Sequence, residues 1–104
     1  MKIPEVLDIC GTDYSIVQSK DLKKTLIGIA PETNKDETYY GYFDPDTQTI
    51  YLDSNRTQIQ KEKTLIHEII EALNSDLALS LSHDNIDRLE HGIYYTLTKN
   101  KLLK

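Results

Sequence analysis

Residues 64–74 are the part of this chain that most constrains its fold. Their apolar side chains recur at intervals of three and four, which is the period of one face of an α-helix. With about 100° between successive residues, one apolar arc is formed. Its members are Leu65, Ile66, Ile69, Ile70, Leu73 and Leu77. The sequence therefore predicts an amphipathic helix whose apolar face packs against the rest of the domain.

The same run contains the motif His-Glu-x-x-Glu at residues 67–71. His67 and Glu71 are four residues apart and share a face of the predicted helix, while Glu68 points about 100° aside. In the related motif H-E-x-x-H, two histidines bind zinc and the glutamate acts as general base. Because carboxylate oxygen also binds zinc, the pattern predicts a metal site with Glu68 as base. The alternative interpretation is a solvated helix face.

A second predicted helix covers residues 82–97 and has Ser82 as its N-cap. Its apolar arc contains Glu90, and His83, seven residues earlier, points in nearly the same direction. A carboxylate facing a core is costly unless it is paired or bound to a metal. The two helices are therefore expected to direct a His and a Glu each toward a shared metal site. Alternatively, Glu90 pairs with Arg88 or a lysine, and His83 is simply an exposed residue at a helix end.

The first half of the chain is typical of strands and the second half of helices, which predicts an α+β fold. We expect a small antiparallel sheet followed by two packed helices. Two hairpins are expected, with strands at residues 5–10, 14–18, 39–44 and 49–53. Between the hairpins, residues 26–30 fit a strand or a buried turn, and residues 31–37 fit a loop. The 104 residues contain no repeat or linker, so a single domain over residues 1–104 is expected.

Charge and cysteine content exclude several classes of protein. A net charge of −5 argues against nucleic-acid binding, which depends on neutralising phosphates. Neither a membrane span nor a secretory signal is expected, because no apolar run is long enough. Cys10 is the only cysteine, which excludes an internal disulfide and a Cys-rich zinc site. We expect Cys10 to be a buried structural thiol in a protein of the reducing cytoplasm.

Residues 38–98 resemble the zincin metallopeptidases, specifically small gluzincin-like members of phage and mobile-element type. The likeness consists of a strand-rich first half, a hairpin ending at residues 50–53, the His-Glu-x-x-Glu helix and a following helix. It implies a zincin-like fold, bound Zn²⁺ and a protein or peptide substrate. The residue roles implied by the resemblance are Glu68 as general base, His67 and Glu71 as ligands, and Glu90 as third ligand.

His83 competes with Glu90 for the third position on the metal. Zinc with His67, Glu71 and His83 has a net charge of about +1, which corresponds to the His₂Glu set of catalytic sites. Two carboxylates would reduce that charge to about zero and make a weaker Lewis acid. We therefore predict His67, Glu71 and His83 as ligands, with Glu90 supporting one of them or acting as an alternative ligand.

The predicted function is a zinc-dependent peptidase that hydrolyses peptide bonds through metal-activated water. Tyr94 and His91 are weak candidates for stabilising the oxyanion. The alternative function is a non-catalytic, metal-stabilised binding protein of phage or mobile-element origin that acts on a host protein. Replacement of Glu68 by Gln distinguishes the two, because it removes a proton acceptor that only the enzyme needs.

Overall fold

A computed structural model of the chain describes residues 1–29 and 39–103. The elements are β1 Val6–Ile9, β2 Thr12–Ser19, α1 Leu22–Ile29, β3 Gly41–Asp44, β4 Thr49–Asp53, α2 Gln58–Leu77 and α3 His83–Lys99. The strands form one sheet in the order β1-β2-β4-β3, which confirms the predicted α+β class. The loop predicted for residues 31–37 lies outside the described residues. In the part of the chain that is described, no helix is long and apolar enough to cross a membrane.

The sheet is mixed, so the prediction of an antiparallel sheet was wrong. Both predicted hairpins are present, because β1 pairs with β2 and β3 with β4 in antiparallel fashion. However, β2 and β4 pair in parallel, with Ile16 opposite Ile50. The direction of this pair depends on the long connection that contains α1 rather than on a local turn. Hairpin signals in the sequence therefore do not specify it.

The first hairpin turns at Cys10 and Gly11. Both residues have positive φ angles, 53° and 83°, as a two-residue turn that matches the strand twist requires. The Gly11 N–H donates a 2.7 Å hydrogen bond to Asp8 Oδ1 and stabilises the turn. Ile9, the last residue of β1, is buried, whereas Cys10 is exposed. The prediction of a buried thiol was wrong because the apolar run ends one residue earlier, and Cys10 belongs to the turn.

Residues 26–29 belong to helix α1, which ends at Ile29. For these residues the prediction of a strand or a buried turn was wrong. The Asp21 side chain accepts a 3.1 Å hydrogen bond from the Lys24 N–H at the start of the helix. Leu22 and Leu26 are four residues apart and are both buried, which is the spacing of one helix face. The short apolar run was therefore misinterpreted, because its burial follows the helical period rather than strand alternation.

Helix α2 is buried on two faces. The face toward the sheet joins a core that consists of Ile9, Tyr14, Ile16, Ile50, Leu52, Leu65 and Ala72. The other face packs on α3 through Ile66, Ile70, Ile86 and Tyr94. Because apolar contacts hold α2 on both sides, its rotation about its own axis is fixed, and so are the directions of its polar side chains.

Both long helices begin at side-chain caps. Thr57 and Gln60 form a capping box at the start of α2, in which each side chain accepts from the other residue's backbone N–H. Ser82 caps α3 as predicted, and its hydroxyl accepts a 3.1 Å hydrogen bond from the Asn85 N–H. The Ser82 cap fixes where α3 begins, and therefore which of its residues face α2.

Gly41 is predicted to be required where strand β3 approaches α2. A Cβ atom at this position would lie 2.6 Å from Thr64 Cγ2 and 2.9 Å from the Tyr51 carbonyl oxygen. Either the strand or the helix would have to move, so Gly41→Ala should lower the free energy of unfolding by about 1–3 kcal/mol. Urea denaturation of the variant and the wild type measures this difference.

Gly92→Ala is the matched control, because a Cβ at Gly92 in α3 meets nothing within 4 Å. Removing a glycine from a helix interior should raise the free energy of unfolding by about 0.5–1 kcal/mol. If Gly41→Ala were as stable as Gly92→Ala, the close approach of β3 to α2 would not be a real constraint.

Candidate metal centre

A cleft of about 450 Å³ opens between strand β3 and helices α2 and α3. Helix α2 contributes Thr64, His67 and Glu68 to its lining, and α3 contributes His83, Asp87 and Glu90. The three α3 residues are spaced by four and three positions, so they share one face of that helix. The cleft therefore contains residues from both parts of the sequence in which a metal site was predicted.

His67 is at the centre of the polar contacts in the cleft. Its Nδ1 lies 3.0 Å from Glu90 Oε1 and 3.3 Å from Asp87 Oδ1. The His67 and His83 rings meet edge to face, with centroids 5.6 Å apart. His83 Nε2 is in turn 3.5 Å from Asp87 Oδ2. Glu90 thus has a histidine as its partner, and two imidazoles and two carboxylates converge at one place.

The donor atoms of this cluster are suitable for a metal ion. His67, His83 and Asp87 can each offer one ligand atom, and these atoms lie within 4.8 Å of one another. Ligand atoms around a tetrahedral zinc ion are about 3.4 Å apart, given bond lengths of about 2.1 Å. Small side-chain rotations would close the difference, since His83 and Asp87 are exposed. Two imidazoles and one carboxylate also match the donor set of known catalytic zinc sites.

Glu71 is not a member of this group of three. It lies one helical turn after His67, and its negative charge raises the pKa of Glu68. Asp87 supplies the nearby carboxylate instead, and sequence analysis did not single it out. Asp87 is four residues after His83, which is the same spacing that marked His67 and Glu71, so the signal was present. The structure brings His67 and His83 together, while the role of Glu71 as a ligand stays a prediction.

Glu68 is buried, with only 6% of its surface exposed. Its Cγ is among the atoms that a side chain at Gly41 would meet, which puts it against strand β3. Burial, followed by the like charges of Glu71 and Glu90, raises the pKa of Glu68 to about 8. The carboxyl group is therefore mostly protonated at neutral pH when no cation is near it. A carboxyl group with a pKa in this range is suited to both accepting and donating a proton.

Tyr94 and His91 do not line the cleft. The Tyr94 hydroxyl is buried and donates a 2.9 Å hydrogen bond to Glu62 Oε1, which connects α3 to α2. His91 lies on the surface, where its ring contacts that of Tyr95. Burial would raise the pKa of Glu62, but hydrogen bonds from Gln58 and Tyr94 outweigh it and lower the pKa. Tyr94 therefore has a structural partner, and neither residue is at the cleft to stabilise an oxyanion.

Comparison with protein-family models, with curated proteins and with solved structures gave no match. Function resides in the site rather than in the fold, because one fold can host many activities. In this protein the chemical features of the site are the cluster at His67 and the buried carboxyl group of Glu68.

Tyr94→Phe is predicted to lower the free energy of unfolding by about 1–3 kcal/mol, because the buried Glu62 carboxylate loses a donor. The pKa of Glu62 is lowered from 4.5, so the folded state favours its ionised form. That contribution is present above the unfolded-state pKa and is lost as the pH falls through the folded-state pKa. The effect of Tyr94→Phe should therefore shrink in acid, which urea denaturation at neutral and acidic pH measures.

Tyr95→Phe serves as the control, because Tyr95 is the next residue on α3 and its side chain is 38% exposed. Its hydroxyl is expected to contribute little, so this variant should match the wild type at both pH values. An equal loss in the two variants would show that the Glu62 hydrogen bond is not the cause.

Proposed function

We propose that this protein is a metal-dependent peptidase that holds a divalent ion, with Zn²⁺ as the first candidate, through His67, His83 and a carboxylate. The observation that supports the proposal is the convergence of these side chains and the buried Glu68 in one cleft. A bound zinc ion would polarise a substrate carbonyl and increase the acidity of water. Asp87 is the carboxylate nearest to both imidazoles and is proposed as the third ligand.

Glu68 is proposed to move the proton during hydrolysis. It directly follows His67 on α2 and lines the same cleft, so it is close to the metal ligands without being one of them. Its carboxyl group would take a proton from the attacking water and transfer it to the leaving amine. Because α2 is packed on two faces, the position of this group does not depend on a mobile loop.

Glu90 is proposed to position His67. The contact between Glu90 Oε1 and His67 Nδ1 fixes the orientation of the ring and favours a proton on Nδ1. A carboxylate partner of this kind also makes the opposite ring nitrogen, Nε2, a better ligand. His67 would therefore bind the ion through Nε2, and the Asp87 carboxylate, which lies 3.3 Å from Nδ1, would turn toward it. Glu90 therefore supports a ligand in this proposal, which is one of the two roles expected for it from the sequence.

A peptide is the proposed substrate because residues 38–98 resemble the zincin metallopeptidases, which act on peptide bonds. Gly41, at the start of β3, lies against Glu68. The proton-transferring residue is therefore proposed to act on a peptide bond held in the cleft between β3, α2 and α3.

Zinc titration by calorimetry tests the proposed ligands in metal-free protein purified without a histidine tag. His67→Ala and His83→Ala should abolish binding, because each removes a nitrogen ligand. Glu90→Gln should weaken binding by about 10–100-fold, as is usual when the partner of a ligand is changed. Absence of zinc binding by the wild type would contradict the proposal at its first step.

The carboxylate ligand is decided by comparing Asp87→Asn with Glu71→Gln. Both variants remove one negative charge near His67 and keep the size of the side chain, so they control for each other. The observed cluster predicts the larger loss of zinc affinity in Asp87→Asn. A larger loss in Glu71→Gln would instead support the ligand set predicted from the sequence.

Glu68→Gln should leave folding and zinc content unchanged and remove peptide hydrolysis. Folding is expected to persist because the amide has the same shape and, in the metal-free protein, replaces a carboxyl group that is mostly neutral. Hydrolysis is lost because an amide cannot accept the proton. Cleavage of a peptide library by wild type and variant, side by side, is the measurement.

Equal cleavage rates in wild type and Glu68→Gln would show that Glu68 is not the base. Zinc binding without hydrolysis by the wild type would favour the alternative of a metal-stabilised binding protein. Glu5→Gln is the control for nonspecific effects, because it makes the same chemical change at an exposed residue that does not line the cleft.

A further inference from the structure

His83 is the most exposed residue of the candidate metal centre. Its side chain is 76% exposed, and it meets His67 by the edge-to-face ring contact and Asp87 Oδ2 at 3.5 Å. Asp87 is on the same helix as His83, so this contact does not fix where His83 lies relative to α2. The place of His83 beside His67 therefore depends on the chain segment that leads from α2 into α3.

This α2–α3 connection, residues 78–82, has a backbone that most side chains disfavour. Two of its residues, Ala78 and Ser80, have φ angles of 51° and 59°. Residues that have a Cβ atom are disfavoured in this left-handed region, because Cβ comes close to a carbonyl oxygen. Local preference therefore opposes the path of the connection, and contacts with the surrounding structure must stabilise it.

Asn74, in the last turn of α2, supplies such contacts. Its Oδ1 accepts a 2.9 Å hydrogen bond from the Leu81 N–H, and its Nδ2 donates to the Leu81 carbonyl oxygen at 3.5 Å. Its backbone carbonyl oxygen accepts from the Ala78 N–H and, at 3.1 Å, from the Leu79 N–H. Asn74 thus holds the connection at three residues, and its side chain holds the one that lies two positions before His83.

The side chain of Leu81 is held as well. It packs against the apolar cluster between the two long helices, which includes Ile66 and Ile86. With its backbone bound to Asn74 and its side chain in this cluster, Leu81 has a fixed place on α2. The next residue is Ser82, the N-cap of α3, so the first turn of α3 begins from that place.

We propose that Asn74 is a positioning residue of the metal centre, which holds the α2–α3 connection so that His83 lies beside His67. Asn74 is seven residues, or about two helical turns, after His67, so both side chains are on the same face of α2. One helix would therefore supply the first ligand and also place the second. The effect on metal binding rests on the proposed function, whereas the effect on the position of His83 does not.

Nuclear magnetic resonance of the metal-free protein tests the position of His83. The ring centroids of His67 and His83 are 5.6 Å apart, so their ring protons should give a nuclear Overhauser effect. Asn74→Ala should remove this effect, because Leu81 loses its partner on α2. Alanine suits a helix, so α2 itself should persist. An unchanged effect in Asn74→Ala would overturn the proposal, whether or not the protein binds a metal.

Asn74→Asp is the conservative variant. Its carboxylate keeps an oxygen that accepts from the Leu81 N–H and loses only the longer contact with the Leu81 carbonyl oxygen. Its negative charge is also favourable near the N-terminus of α3. Asn74→Asp should therefore keep the nuclear Overhauser effect between His67 and His83. An equal loss in Asn74→Asp and Asn74→Ala would show that the hydrogen bond to Leu81 is not the cause and would overturn the proposal.

Zinc titration of the same variants tests the consequence for the metal centre. Asn74→Ala should raise the Kd for Zn²⁺ by about tenfold or more, because His83 is no longer held in place for the ion. Tyr94→Phe is the control for a general loss of stability, since it loosens α3 at Glu62 and not at the connection. It should keep both the zinc affinity and the nuclear Overhauser effect.

The two experiments separate this proposal from the proposed function. Equal zinc affinity in Asn74→Ala and the wild type would overturn the positioning role of Asn74. Absence of zinc binding by the wild type would contradict the proposed function instead. The nuclear Overhauser effect in the metal-free variants would then still decide whether Asn74 positions His83.

Discussion

The burial of α2 on two faces is the constraint on which the rest of the structure depends. Leu65 and Ala72 face the sheet, while Ile66 and Ile70 face α3. A helix held in this way cannot rotate without exposing one core, so every residue between the two apolar faces has a fixed direction. Glu68 is directed toward β3 as a result of this packing. The candidate site thus follows from core formation and needs no separate element to build it.

Two glutamates of α2 have pKa values that are shifted in opposite directions. Glu62 accepts hydrogen bonds from Gln58 and Tyr94, which lower its pKa although it is buried. Burial and like charges act on Glu68 and raise its pKa to about 8. Glu62 is therefore an anion that connects two helices, whereas Glu68 is a largely neutral acid in a cleft. Of the two, Glu68 lines the cleft and has the pKa that suits proton transfer near neutral pH.

Local patterns predicted the local parts of this fold. Both hairpins, the two long helices and the Ser82 cap were found because short runs of residues encode turns, periodicity and caps. The parallel pairing of β2 with β4 was missed because it joins residues far apart in the chain. Cys10 was misplaced by one position at a turn, and α1 is too short for its period to outweigh a run of apolar residues.

The same distinction between local patterns and contacts of residues far apart in the chain applies to the site. Helical spacing was enough to predict that His67 and His83 come together, and it could have identified Asp87. The burial of Glu68 could not be predicted, because it depends on a strand that approaches α2 only where Gly41 has no side chain. A larger residue at position 41 would push β3 away and admit water to the Glu68 carboxyl group. The close contact between β3 and α2 at Gly41 therefore also keeps the Glu68 carboxyl group out of water. This exclusion of water maintains the raised pKa of Glu68.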